Sequence, residues 1–280
     1  MFVRRWERDG WARRSVWNAS LATRFLFGVP PARLAQRYFG RKAAAVVMMA
    51  RAPWTGGKTR LAVAGDEATH DALRHALFLD TLDVVTSVRN VEHIIACEPP
   101  GACERMREFA GPALDVVAQR GGDLGQRMAH VFEDTFRLGV DAVVVVGSDL
   151  PDLPSRLLQD ALAALRGRKD RIVLGPAGDG GYYLIGLNRP HPALFDRIEW
   201  STERVLAQTL DAARTLGVQT VLLDQWTDVD EAADLNRFLN DAADSTGRRT
   251  RSCVLEHVAR RTIASQQSGH AADSGIKGNC

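Results

Sequence analysis

Four consecutive valines, Val143 to Val146, run directly into Gly147-Ser148-Asp149-Leu150-Pro151. A short β-branched run without polar alternation cannot leave one face in water, so it reads as a strand buried on both faces, the pattern of a parallel sheet. Parallel strands need crossover connections, which points the chain towards an α/β architecture. The carboxyl end of such a strand is where open α/β sheets take ligands. Asp149 therefore stands at the rim of the sheet, either as a ligand for a hard cation or as a cap on the turn before a helix starting near Pro154. Asp152 reads as a cap.

Strand-like and helix-like segments alternate on either side of this junction. Ala43–Met49, His93–Cys97, Leu114–Ala118 and the valine run are the first four strands. Helical spacing covers Asp66–Val88, with Asp66 as N-cap and Leu73, Leu77, Val84 and Val88 on one face, then Cys103–Phe109 and Leu124–Leu138. Leu157, Leu158, Ala161, Leu162 and Leu165 line the next helix. Arg171–Leu174 and Tyr182–Leu187 follow without a helix between them, so one of the two is expected to run antiparallel. Helix Thr202–Leu216, strand Thr220–Leu223 and helix Glu231–Leu239 complete the body. The expected fold is a mostly parallel central sheet with an antiparallel strand and helices on both faces.

Three regions differ in composition. Residues 1–42 are rich in Arg and hold Trp6, Trp11 and Trp17, half of the 6 tryptophans. This basic extension reads as a packed N-terminal addition, a misassigned start or a docking element for a membrane surface or protein partner. Residues 43–240 form the folded domain, and residues 241–280, rich in Ser, Gly, Arg and Ala, read as a disordered tail. The net charge of +2 conceals an acidic body between basic ends, which argues against a nucleic-acid partner. Cys97, Cys103, Cys253 and Cys280 show no zinc-like spacing and read as reduced thiols. With no apolar run long enough for a transmembrane segment, a cytoplasmic location is expected.

Four loops carry candidate chemistry. Ala50 to Arg60 follows the first strand and contains Gly56, Gly57, Lys58, Thr59 and Arg60, a glycine-basic loop suited to phosphates or simply a solvated turn. Gln119 to Gly125 follows the third strand; Gln119 could pair with a nucleobase edge, whereas Asp123 reads as a helix cap. Gly175 to Tyr183 is unusually rich in glycine, and its Asp179 either meets a ligand hydroxyl or metal or sits in a hairpin turn. Asp228-Val229-Asp230 precedes the last helix, where Asp230 is a cap or, with Asp228 and Asp149, part of an oxygen-rich metal site. His70, His75 and His130 read as structural.

In sequence order, Lys58-Thr59-Arg60-Leu61, Asp123 to Met128, Gly147 to Pro151, Gly175 to Gly186, Trp200-Ser201-Thr202 and Asp228-Val229-Asp230 resemble the GT-A-fold nucleotide-diphospho-sugar transferase superfamily. The chain is most similar to the bacterial glycosyltransferase A-like family of unknown function, over about residues 43–240. Molybdenum-cofactor and phospholactate guanylyltransferases belong to the same wider group. The first loop lacks the fuller GxGTR pattern of sugar nucleotidyltransferases, and the acidic motif is not a strict DxD.

The resemblance implies a Rossmann-like GT-A fold. It implies that Lys58, Thr59 and Arg60 hold nucleotide phosphates, that Gln119 and Gly125 read the base, and that Asp149 and Asp230 bind Mg2+ or Mn2+. The expected protein is a magnesium-dependent transferase using a nucleotide sugar or nucleoside triphosphate and a small-molecule acceptor. Asp149, Asp179, Lys58 and Arg60 are its expected catalytic groups. Asp179, Gly180, Gly181, Tyr182 and Trp200 are expected at the acceptor, although a packed Trp200 ahead of a helix serves equally well. The competing expectation is a non-catalytic nucleotide-binding module within a pathway complex, docked through residues 1–42.

Overall fold

A computed structural model describes residues 44–57, 61, 67–167, 169–241 and 246–257. The basic extension 1–42, Lys58, Thr59, Arg60, Asp66 and the tail beyond residue 257 lie outside the described residues. The chain forms two compact units built from interleaved segments. The first contains the segment ending at Ala52, Leu82–Ser148 and Leu153–Asp228; the second contains Pro53–Thr81, Asp149–Asp152 and the chain from Val229 onward.

The first unit is organised on seven strands: β1 (Ala44–Arg51), β2 (Glu92–Glu98), β3 (Asp115–Ala118), β4 (Ala142–Val146), β5 (Arg171–Pro176), β6 (Tyr182–Leu187) and β7 (Gln219–Leu222). Their spatial order is β3-β2-β1-β4-β6-β5-β7. Strand β6 pairs antiparallel with both β4 and β5, and the remaining pairings are parallel. The back-to-back pair without a helix between them thus supplies the antiparallel strand, as expected, because a short connection can only return the chain in the opposite direction. Every residue of β4 is buried. Val143 and Val145 join a cluster with Met128, Phe132 and Leu194, while Val144 and Val146 are equally buried on the other side of the strand. Side chains alternate across a strand, so only an uninterrupted apolar run can satisfy both faces.

Helices α1 (Glu67–Ser87), α2 (Cys103–Ala110), α3 (Leu124–Phe136), α4 (Ser155–Ala164), α5 (Val205–Thr215) and α6 (Ala232–Asp241) match the expected segments to within a few residues. Asp123 caps α3: its Oδ1 accepts the Gln126 N–H at 2.8 Å, and Gln126 Oε1 in turn accepts the Gly122 N–H at 2.9 Å. This is a reciprocal cap on a helix whose Met128, Val131 and Phe132 face the sheet cluster.

The second unit has its own core of Leu61, Leu73, Leu77, Val229, Leu235, Phe238 and Val254. Leu73 and Leu77 lie four apart on α1, one face of the helix. Val254 belongs to a seventh helix, α7, over residues 248–257. Residues 248–257 fall within the segment expected to be a disordered tail. What orders this polar segment is remote in sequence: the buried Asp80 carboxylate accepts the Thr250 N–H and Oγ1–H, each at 2.8 Å, and the Arg249 N–H at 3.3 Å. A carboxylate on the first-turn amides, which have no acceptor within the helix, is the arrangement that a helix N-terminus favours.

Candidate active site

Asp149 leaves β4 after Gly147 and Ser148, and its backbone is held in two places within the second unit. The Leu150 N–H donates to Thr81 Oγ1 at 2.9 Å, and the Val229 N–H donates to the Asp149 carbonyl at 2.9 Å. Val229 is fully buried, which anchors the Asp228-Val229-Asp230 segment by its middle residue. Asp149 and Asp228 are half-buried and Asp230 is exposed. The structure thus lays the strand-end aspartate alongside Val229, with an aspartate on each side of it in the chain. Asp234 Oδ2 accepts the N–H groups of Asp230 at 3.2 Å and Glu231 at 2.9 Å. Asp152 is buried and lies 4.0 Å from Arg237 Nη1.

The remaining expected residues that are described belong to the first unit. Gln119 is buried, and its amide Nε2 donates to the Ala96 carbonyl at 2.8 Å and the Ala50 carbonyl at 3.5 Å. Those donors tie β3's end to the sheet instead of pointing outward to a base. Gly125 and Trp200 meet each other. A Cβ on Gly125 would lie 2.6 Å from Trp200 Nε1 and 2.9 Å from the Phe195 carbonyl oxygen, so the indole seats directly on the first turn of α3. Trp200 is half-buried against the sheet cluster, in keeping with the packed alternative.

Asp179 is exposed, and its Oδ1 accepts the Gly181 N–H at 2.9 Å, closing a local turn. Gly180 holds φ at 86°, and a Cβ there would collide with the Glu203 backbone while its carbonyl accepts the Leu206 N–H at 2.9 Å. The close approach that the glycine run requires is therefore to the start of α5. Tyr182 directs its hydroxyl towards Met128 Sδ at 3.9 Å, and burial pushes its phenol well above the ordinary range. It is a neutral group facing the core at ordinary pH.

Sequence reasoning gave no role to three charged residues, two at the carboxyl ends of β1 and β2 and one on α3. Arg51 and Glu98 are in register, and Arg127 of α3 donates to Glu98 Oε1 at 2.9 Å, with Arg51 at 3.9 Å. Register is the missing signal: only the pairing of β1 with β2 shows that Arg51 and Glu98 stand side by side. Thr81, which holds Leu150, was likewise hidden in an apolar helix face.

The family described as "uncharacterized protein conserved in bacteria (DUF2064)" matches residues 81–202. A solved structure of a "putative nucleotide-diphospho-sugar transferase" from Desulfovibrio desulfuricans G20 is 32% identical, with 78% of this chain and 96% of that chain covered and a TM-score of 0.71. The chain belongs to the DUF2064 family, with the fold of nucleotide-diphospho-sugar transferases. The DUF2064 match takes in Gln119, Gly125, Asp149, Asp179 and Trp200, and stops short of Lys58–Arg60 and Asp228–Asp230. Rv0371c from Mycobacterium tuberculosis H37Rv is 18% identical at a TM-score of 0.45, covering 71% of this chain and 98% of that one. A cytidylyltransferase from Leptospira borgpetersenii is 12% identical at a TM-score of 0.44, covering 81% and 95%. At these values neither bears on the activity of this DUF2064 member. No curated protein matches the chain.

Proposed function

We propose that this protein is a divalent-metal-dependent transferase that takes a nucleoside triphosphate or a nucleotide sugar as donor and a small molecule as acceptor. The observation that supports this reading is the 2.9 Å hydrogen bond from the Val229 N–H to the Asp149 carbonyl, which joins the backbone just after β4 to a segment in which Val229 has an aspartate on each side in the chain. The likeness to the 32% identical Desulfovibrio protein supports the donor class.

The donor set fits Mg2+ or Mn2+. Asp149, Asp230 and Asp228 offer only hard oxygen ligands, and such ions are commonly held by one or two carboxylates together with substrate phosphates. When bound, the ion would neutralise charge on the phosphates. Lys58 and Arg60 would add fixed positive charge to the same phosphates, with Thr59 between them. The exposed Asp179 carboxylate would orient the acceptor hydroxyl and receive its proton. Because the Gln119 donors are engaged by backbone carbonyls, base contact falls more naturally to the loop Arg120 to Gly125 than to that amide.

A release assay with Mg2+ or Mn2+ tests the reading. Pyrophosphate released from a nucleoside triphosphate identifies nucleotidyl transfer, and nucleoside diphosphate released from a nucleotide sugar identifies glycosyl transfer. If the folded protein binds nucleotides yet releases neither product with any acceptor, the transferase reading is lost in favour of a binding module.

A further inference from the structure

The two edges of the first unit's sheet are finished differently. At one end, β3 is covered: Val116 is only 2% exposed, and Arg107 of α2 donates its Nη2 to the Val116 carbonyl at 3.1 Å. At the other end, β7 pairs with β5 alone, and none of its residues is buried. The parallel register turns the N–H and C=O groups of Gln219, Val221 and Leu223 towards β5, with the Leu223 N–H donating to the Leu174 carbonyl at 2.9 Å. Thr220 and Leu222 therefore direct theirs to the open side, where no strand follows among the described residues. The Leu222 residue is 53% exposed.

Open edges are ordinarily blunted by charge, proline or a bulge. The stretch Val218 to Leu223 has no charged residue and no proline, and its pairing with β5 is regular throughout. Such an edge is a template for another strand, and its two ends restrict which strand fits. The Val218 N–H is already donated to the Ala213 carbonyl at 3.1 Å, and the Asp224 carbonyl accepts the Tyr183 hydroxyl at 3.0 Å. Between them, Thr220 and Leu222 offer both groups, and two such residues spaced by one match themselves under a twofold axis. With Thr220 opposite Leu222 of a second copy, and the reverse, every outward N–H meets an outward C=O. A slip by one pair opposes these residues to Asp224 or Val218, where a carbonyl or an amide is already taken. No like charges meet in the matched register.

We propose that β7 is the self-association edge of this protein, pairing antiparallel with β7 of a second copy about Val221. The two seven-stranded sheets then continue into one another. Leu222 of each copy lies beside Thr220 of the other on one face, which removes the exposed leucine from water, and the two Val221 residues face each other on the opposite face. Twofold pairing of identical surfaces is the commonest form of association for a soluble chain.

Sedimentation of the full-length protein over a dilution series from submillimolar to submicromolar tests this. A concentration-dependent dimer is expected. Thr220→Pro removes an outward N–H that β5 does not use, and Leu222→Lys places a charge on the edge. Each variant, shown to be folded by circular dichroism, should raise the dimer dissociation constant about tenfold or more, and Leu222→Lys serves if Thr220→Pro does not fold. The register has its own readout. Directly opposed residues of a non-hydrogen-bonded pair have Cα atoms about 4.5 Å apart, within reach of a disulfide. Val221→Cys should therefore give a covalent dimer on mild oxidation with diamide, whereas Thr220→Cys and the wild type treated alike should not. A monomer throughout the series overturns the proposal, and slow amide exchange at Thr220 and Leu222 in that monomer would assign the edge to another segment of the same chain. A dimer unaffected by either folded variant overturns it equally.

Discussion

At the scale of single residues, Asp149 tests a proposed charge and Gly125 tests a shape. Asp149→Asn keeps the Val229 and Leu150 backbone hydrogen bonds but removes a charge from the proposed metal site. Metal-dependent product release should fall on the order of 10²-fold or more, with metal-free nucleotide binding intact; unchanged turnover would remove Asp149 from the chemistry. Gly125→Ala drives a methyl into the Trp200 indole and should cost about 1–3 kcal/mol, read as a lower thermal midpoint. Trp200→Phe in the same chain should recover part of it, and additive losses would show that the two residues are not coupled. The strand that leads to Asp149 was legible in the sequence because a β-branched run followed by a turn marks both the strand and its carboxyl end. The inward turn of Gln119 was not, because its acceptors lie on β1 and β2, 69 and 23 residues away.

Whole elements were easier to read than their partners. All seven strands and six of the helices follow from hydrophobic period, which depends only on local spacing. Helix α7 does not, since its first turn is satisfied by a carboxylate 170 residues earlier. Asp80→Ala should therefore destabilise the second unit by about 2–3 kcal/mol, the worth of hydrogen bonds to a buried charge. Amide exchange of residues 249–254 should accelerate before that of β1 or β4. If exchange in α7 is unaffected, its order does not depend on Asp80.

Across the described residues, the thiols and phenols whose pKa values burial raises lie on the first unit's sheet and the helix after β2. Burial pushes the Cys97 thiol up to about 12 from 9.0 and the Tyr183 phenol to about 12 from 10.0, and it also raises Cys103 and Tyr182. Each is neutral when protonated and has a higher pKa folded than unfolded. Their contribution is thus complete below about pH 9 and declines as pH rises towards about 12. Urea midpoints should fall through that alkaline window, and Cys97→Ala should flatten its lower part. A midpoint constant across the window would contradict the burial of these groups. Domain boundaries were the least legible level, because the second unit is assembled from three segments separated by more than sixty residues each.

That assembly has a consequence for synthesis. Leu73 and Leu77 emerge from the ribosome long before Val229, Phe238 and Val254, the residues that share their core. At ordinary translation rates of about 5–20 residues per second, the interval from Thr81 to Val254 is roughly ten to thirty seconds. For that time the nascent chain carries the apolar face of α1 without its native cover. A chaperone that recognises short leucine-bearing helices has a defined window in which to act, and it closes when α7 arrives.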